Sequence, residues 1–260
     1  MQLPVIEKGA GEDVLLIHGI ISDKSFFEEL MEQMEQDYHL IAYDRRGYGD
    51  AEKAEDYSIW AQAEDAAGIL KAHAKDRAWI VGNSAGGMVA MALYLRYPEL
   101  VRGMLLIEPS LVFDPRSEEM IREWNSELNG YVNEKRIKKA LPAVARVIGD
   151  KTEVPADKSL AQLKRAYKNL ETFMLGELND IQRFRPAKEE FASAAIPIRV
   201  LISEDGKDSI FAKTSLLGAQ VLGWPVEYLC GYHNTLSRNP QDGAKRLKAI
   251  IEEMENGSGT

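Results

Sequence analysis

The stretch Ala78-Trp79-Ile80-Val81-Gly82-Asn83-Ser84-Ala85-Gly86-Gly87 joins an apolar run to a helix-forming segment through a serine bracketed by glycines. A nucleophilic serine must be held out of a packed sheet, and a sharp turn between a strand and a helix holds it there. Glycines two residues before and after the serine remove the side chains that would clash in so tight a turn. The stretch therefore predicts a strand, a nucleophile turn and a helix around Ser84.

Short apolar runs alternate with helical patterns along most of the chain, which is typical of a parallel sheet covered by helices on both faces. We predict an α/β fold with a mostly parallel sheet of about seven or eight strands. The candidate strands are residues 3–7, 13–17, 39–43, 78–81, 102–107, 198–203 and 226–229. The candidate helices between them are residues 25–36, 60–74, 83–97, 210–222 and 242–255.

This alternation stops between residues 113 and 194, where no strand-like run appears. Large apolar residues recur there at spacings of three and four, which indicates an amphipathic helix. These residues are Leu160, Leu163, Tyr167, Leu170 and Met174. The pattern predicts a helical cap inserted between two core strands. The predicted organisation is a core in two parts at residues 1–111 and 196–256, a cap at 112–195 and a disordered tail at 257–260.

The composition limits the class of protein and its partners. The chain has 260 residues, 45% of them hydrophobic, with 32 basic and 41 acidic residues and a net charge of −9. An acidic chain is a poor partner for nucleic acid, because phosphate binding needs a basic face. The single cysteine excludes an intramolecular disulfide framework. The sequence shows neither a signal-peptide pattern nor an apolar run of about 20 residues. We expect a cytoplasmic protein with no membrane partner, and the choice between monomer and homodimer stays open.

A lone serine is a weak nucleophile and needs a base within hydrogen-bonding reach. The chain has four histidines, so the base can be sought among few candidates. His233 follows the last candidate strand and precedes the last helix. This position lies at the carboxyl edge of the sheet, where Ser84 is also expected. His233 is therefore the candidate base.

The base in turn needs a carboxylate that orients it, and this group should follow another strand. Residues 198–203 are followed by a loop that contains two aspartates. We favour Asp208 because it directly precedes the next helix, with Asp205 as the alternative acid. Glu108, which follows its own strand, is the main candidate outside this loop.

The developing negative charge on a substrate oxygen needs hydrogen-bond donors. One should be the backbone amide of Ala85, at the start of the helix that follows the nucleophile. The second should be the amide of Ile20, because Gly19 allows the loop after strand 13–17 to turn that amide into the site.

Five motifs in this order resemble those of the α/β-hydrolase superfamily, and the resemblance covers nearly the whole chain. They are His18-Gly19-Ile20, Asp44-Arg45-Arg46-Gly47-Tyr48-Gly49, the Ser84 turn, Asp208-Ser209-Ile210-Phe211 and Gly231-Tyr232-His233-Asn234. The resemblance implies a cap domain and serine chemistry that needs no metal and no organic cofactor. A serine at this position argues against epoxide hydrolases and haloalkane dehalogenases of the same fold, which use aspartate.

The expected activity is that of a carboxylesterase-like hydrolase acting on a small carbonyl substrate such as an ester, lactone, thioester or β-diketone-like compound. Cofactor-free perhydrolysis of the haloperoxidase type, acyl transfer, a hydroxynitrile-lyase reaction and a non-catalytic ligand-binding role are the alternatives. Large side chains of the cap could line the substrate pocket. These candidates are Trp124, Tyr131, Tyr167, Phe173 and Met174.

Overall fold

The computed structural model describes residues 1–147, 160–191 and 194–257 and contains one seven-stranded sheet. Its order is β1-β3-β2-β4-β5-β6-β7. Strand β1 pairs antiparallel with β3, and every other pairing is parallel, so the predicted α/β fold is confirmed. The strands are β1 (Val5–Lys8), β2 (Glu12–Ile17), β3 (Tyr38–Tyr43), β4 (Ala78–Asn83), β5 (Val101–Ile107), β6 (Ile198–Ser203) and β7 (Val226–Leu229).

Ten α-helices accompany the sheet within the described ranges. Those of the core are α1 (Glu28–Met34), α2 (Ile59–His73), α3 (Ala85–Arg96), α8 (Ile210–Leu222), α9 (Thr235–Arg238) and α10 (Pro240–Gly257). Between β5 and β6 lie α4 (Pro115–Asn133), α5 (Leu141–Val147), α6 (Leu160–Thr172) and α7 (Leu178–Arg183). A π-helical turn, Phe173–Glu177, joins α6 to α7. None of the helices in these ranges combines the length and apolarity needed to cross a lipid bilayer.

The strand side chains alternate between two apolar layers, as expected for a sheet buried on both faces. In β2, Leu15 and Ile17 join the layer formed with α2, α3 and α8, whereas Val14 and Leu16 join the layer formed with α1 and α10. Strand β4 is buried along its whole length. The strand that leads to Ser84 is therefore held rigidly from both sides.

The described residues between β5 and β6 form helices joined by loops and contain no strand, which agrees with the predicted helical insertion. In the amphipathic stripe, Leu170 and Met174 are buried and Tyr167 is partly exposed. The side chains of Leu160 and Leu163, residues 148–159 and 192–193, and tail residues 258–260 lie outside the described residues. The exact limits of the cap, 112–195, stay a prediction.

Candidate active site

Ser84 lies in a sharp turn between β4 and α3. Its backbone has φ 55° and ψ −123°, a conformation that residues other than glycine rarely adopt. The Ser84 amide donates a hydrogen bond of 2.8 Å to the carbonyl of Ile107 at the end of β5. Strained backbone of this kind persists only where the surrounding structure enforces it, and it occurs often at active sites.

The two bracketing glycines are required by close backbone contacts. A Cβ atom on Gly82 would lie 2.6 Å from the Cα of Gly87. A Cβ atom on Gly86 would lie 2.1 Å from the carbonyl oxygen of Ile17. The turn therefore packs directly against the end of β2, and any larger residue at either position would push the serine out of place.

His233 follows β7 and makes a buried hydrogen bond with Glu108. The His233 Nδ1 atom lies 2.5 Å from Oε2 of Glu108, whose side chain is fully buried. The other carboxylate oxygen accepts hydrogen bonds from the Ser203 amide at 2.8 Å and the Ser203 hydroxyl at 2.5 Å. Because an ionised carboxylate only accepts hydrogen bonds, Nδ1 of His233 carries a proton and Nε2 is free to accept one.

The preferred assignment of Asp208 as the orienting acid is corrected by this geometry. The Asp208 side chain is 89% exposed, and its nearest ionic partner is Lys213 at 3.7 Å. Asp205 is also exposed, and its amide donates to the Gly231 carbonyl at 3.0 Å. This backbone bond ties the loop after β6 to the loop after β7 while both aspartate side chains point to solvent.

Glu108 reaches His233 because of two local features. It directly follows β5, the neighbour of β4, and its φ of 43° turns the chain sharply at the strand end. The sequence signal was the abrupt change from an apolar run to a glutamate at that position. A position directly before a helix favours Asp208 in the sequence, but that criterion does not decide which strand ends meet in space. The chain order of the candidate nucleophile, acid and base is unchanged.

The loop after β2 lies against the nucleophile turn. A Cβ atom on Gly19 would lie 2.9 Å from the Ser84 Cβ, so the loop approaches the serine as closely as glycine allows. Ile20 and Ala85 line the same cavity as Ser84. Ala85 is the first residue of α3, where backbone N–H groups have no partner within the helix. The two residues predicted to supply oxyanion donors therefore line the pocket beside the serine, and their role as donors stays a prediction.

His18, the first residue of that loop, is buried and neutral. Its Nε2 accepts a 3.0 Å hydrogen bond from the Arg45 amide, and its Nδ1 lies 2.8 Å from the Gly19 carbonyl. Burial and the nearby Arg45 charge lower the pKa of His18 to about 3. His18 therefore serves to shape the loop and is not a proton carrier near neutral pH.

A pocket lined mainly by apolar and aromatic side chains lies beside Ser84. The Trp124 and Phe211 rings meet edge to face at 5.1 Å, and the Phe211 ring lies 5.6 Å from the His233 ring. Phe211 thus links the serine cavity to the histidine. The residues that line the cavity are Ile20, Ser84, Ala85, Met88, Ser110, Ile121, Trp124, Ile181 and Phe211.

Comparison with known proteins agrees with this geometry. A family model described as "alpha/beta hydrolase fold" matches residues 14–245. The chain is a member of the α/β-hydrolase fold family. The expected resemblance is therefore confirmed.

Relatives of this α/β-hydrolase include proteins that are named as hydrolases. The chain is 37% identical over 107 residues to 2-(acetamidomethylene)succinate hydrolase of Mesorhizobium japonicum, an alignment that covers 41% of this chain and only 38% of that protein. Est816, an N-acyl homoserine lactone degrading enzyme, has a similar structure with TM-score 0.74 and 19% identity over 95% of this chain and 96% of its own. A bromoperoxidase from Bacillus anthracis gives TM-score 0.76 and 18% identity over 95% and 94%. At such identities the two structures show a shared fold only.

The five predicted pocket residues of this α/β-hydrolase fall into different places. Trp124 lines the serine cavity. Phe173 is buried and stacks on Trp124 at 6.0 Å, and Met174 is buried in the same apolar layer. The rings of Tyr131 and Tyr167 lie beside the cationic groups of Arg136 and Lys138 respectively. The last four are outside the described lining of the cavity, so their assignment as pocket residues is not supported by this geometry.

A polar seam fastens α6 to the core loops on one side of the site. Arg165 donates a 2.7 Å hydrogen bond to Asp23. The Asn169 side chain accepts from the Gly49 amide at 2.9 Å and donates to the Ser22 carbonyl at 3.1 Å. Because several of these groups are buried, the seam fixes where this helix sits over the site.

Proposed function

We propose that the protein is a serine hydrolase in which Ser84, His233 and Glu108 form the catalytic triad. The observation that carries the proposal is the buried 2.5 Å hydrogen bond between His233 and Glu108, at the same sheet edge as a serine held in a strained turn. A histidine whose Nδ1 proton is held by a carboxylate presents Nε2 as a base.

In the proposed first step, the Ser84 oxygen attacks the substrate carbonyl carbon while Nε2 of His233 takes the hydroxyl proton. The charge that forms on imidazolium is stabilised by the buried Glu108 carboxylate. The substrate C=O electron pair moves to oxygen, where the amides of Ile20 and Ala85 donate hydrogen bonds. The intermediate then expels its leaving group, which takes the proton from His233, and an acyl-serine remains.

In the second step, His233 takes a proton from water and the resulting nucleophile attacks the acyl-serine. The same two amides hold the oxyanion again. Collapse of this intermediate breaks the acyl–oxygen bond and returns the proton to Ser84. The carboxylic acid leaves, and no cofactor takes part in either step.

The cavity supports a neutral, apolar acyl group. Its described lining consists of apolar and aromatic side chains with two serines, and it contains no charged side chain. An anionic group there would lose hydration without gaining an ionic partner. This favours simple esters, thioesters or lactones over a dicarboxylate such as the compound named for the Mesorhizobium relative.

A panel of p-nitrophenyl esters of increasing chain length tests the proposal. We expect the wild-type protein to release p-nitrophenol, with a preference for uncharged short or medium acyl chains over a succinyl half-ester. The Ser84→Ala variant should lose at least about 10³-fold in kcat. A folded wild-type protein that hydrolyses none of these esters, or a Ser84→Ala variant that remains fully active, would overturn the proposal.

A further inference from the structure

The carbonyl oxygen of Gly19 is held by two side chains at once. It lies 2.8 Å from Nδ1 of His18 and accepts a 3.0 Å hydrogen bond from Nη2 of Arg45. His18 is itself fixed through the Arg45 amide. The orientation of this one peptide group is therefore set by interlocked residues from the ends of β2 and β3.

The peptide group that contains the Gly19 carbonyl also contains the Ile20 N–H. A trans peptide is planar, and its C=O and N–H point in opposite directions. The described chain has no cis peptide bond. The donors that bind the Gly19 carbonyl oxygen on one side of this peptide group therefore direct the Ile20 N–H toward the opposite side. The next residue, Ile21, has φ 56°, so this loop needs such external support.

Arg45 is a fully buried charge, and its partner comes from the region between β5 and β6. Its guanidinium forms an ion pair with Glu177 of the π-helical turn, and both side chains have 0% exposure. Gln62 accepts from Arg45 at 2.5 Å and donates to Glu177 at 2.9 Å. Tyr48 donates its hydroxyl to the same carboxylate. Burial alone would lower the pKa of Arg45, but the charge of Glu177 raises it, so the guanidinium stays protonated.

A buried ion pair is costly to desolvate and gives little net stability compared with an apolar pair. The importance of the pair here is that it holds the Arg45 guanidinium within hydrogen-bonding distance of the Gly19 carbonyl. A charged donor makes a stronger hydrogen bond to a carbonyl than a neutral one, and it polarises the peptide so that the N–H becomes a better donor.

We propose that Arg45 is a positioning residue that aims and polarises the Ile20 amide toward the reacting oxygen, and that Glu177 holds Arg45 in place for this purpose. The inference rests on the proposed hydrolase function. On this proposal, the position of the π-helical turn and the strength of the oxyanion donors depend on the same set of hydrogen bonds.

The neighbouring Arg46 provides a matched control. It pairs with Asp65 at 2.7 Å and donates to the carbonyls of Asp56 and Ala61, but none of its described bonds reaches the Gly19 peptide. Exchanging Arg46 for lysine tests the general cost of weakening an arginine in this loop. Exchanging Arg45 for lysine tests the same cost together with the loss of the hydrogen bond to the Gly19 carbonyl.

The experiment compares Arg45→Lys, Glu177→Gln and the double variant R45M/E177M with Arg46→Lys and wild type. Each protein is assayed on an oxoester and on the matching thionoester, whose sulfur is a poor hydrogen-bond acceptor. The ratio of kcat/KM for the two substrates reports on the oxyanion donors and is insensitive to simple destabilisation. Thermal unfolding identifies which variants are folded, and the double variant avoids leaving one buried charge unpaired.

We expect kcat to fall by about 10- to 100-fold for the Arg45 variants, with KM within about threefold of wild type, since complete loss of one oxyanion donor costs about 10²–10³. The oxo-to-thiono ratio should fall at least about fivefold, and Arg46→Lys should leave it unchanged. Folded Arg45 variants with an unchanged ratio would overturn the inference, even if kcat fell. A wild-type protein that is inactive on every ester would instead overturn the proposed function.

Discussion

Replacing Glu108 with glutamine should remove most of the activity while leaving the fold intact. In the native site, Ser203 donates two hydrogen bonds to Oε1 of Glu108 and His233 donates one to Oε2. The two Ser203 donors would hold the amide oxygen of a glutamine at the Oε1 position. The amide nitrogen, which is a donor, would then face Nδ1 of His233.

This exchange forces the histidine into the wrong tautomer. Nδ1 would have to accept a hydrogen bond, so the proton would move to Nε2, which could no longer take the Ser84 proton. The corresponding Asp→Asn exchange in a Ser-His-Asp triad lowers kcat about 10⁴-fold. We expect a loss of about 10³- to 10⁴-fold for Glu108→Gln, or about 4 to 5.5 kcal/mol at 1.36 kcal/mol per tenfold. Steady-state hydrolysis of the preferred p-nitrophenyl ester measures it.

The isosteric variants Asp208→Asn and Asp205→Asn are the controls. Both side chains are exposed, and we expect each variant to keep at least about half of the wild-type kcat, since surface changes away from the chemistry have small effects. Retention of more than a tenth of the activity by folded Glu108→Gln would refute the assignment. So would a loss of about 100-fold or more in Asp208→Asn.

Three further predictions follow from single contacts. Gly86→Ala places a Cβ atom 2.1 Å from a backbone oxygen of β2, so we expect it to lower the free energy of unfolding by about 1–3 kcal/mol and to remove most of the activity. The control Gly68→Ala lies in open space on α2 and should be neutral or stabilising. Equal urea unfolding midpoints for the two variants would contradict this prediction. The pKa of His18 is lowered to about 3 in the folded protein, so below the ordinary value near 6.5 the unfolded chain binds more protons than the folded one. The free energy of unfolding should therefore decrease as the pH is lowered from about 7 to about 5. A His18→Asn variant with an equally steep pH dependence would argue against this source. Asn169→Ala leaves the buried Gly49 amide without its acceptor and should cost about 1–3 kcal/mol in urea unfolding, with no loss meaning that the seam is not structural.

The features that could be predicted from sequence were those set by local chemistry. Gly82 and Gly86 around Ser84 predicted the strained turn because no other residue fits it. The apolar runs predicted all seven described strands. The five inner strands are mostly buried and therefore mostly apolar, whereas the edge strands β1 and β7 are only partly buried. His233 could be placed at the sheet edge because it follows a strand directly.

The features that could not be predicted depend on which strand ends meet in space. The partner of His233 is decided by the adjacency of β5 to β4 and β6 and by the turn at Glu108, and neither is encoded in local periodicity. The buried pair of Arg45 and Glu177 joins residues 132 positions apart. Large cap residues predicted a pocket, but only the packing of the helices decides that Trp124 faces the serine and Tyr167 does not.

Covalent labelling with a fluorophosphonate tests the central claim most directly, because only an activated serine reacts with it quickly. Intact-mass analysis should show one added phosphonyl group per chain, and peptide mapping should find it on Ser84. The Ser84→Ala protein should stay unmodified, and Glu108→Gln should react far more slowly than wild type. A folded wild-type protein that remains unlabelled, or one that carries the adduct at another residue, would contradict the account.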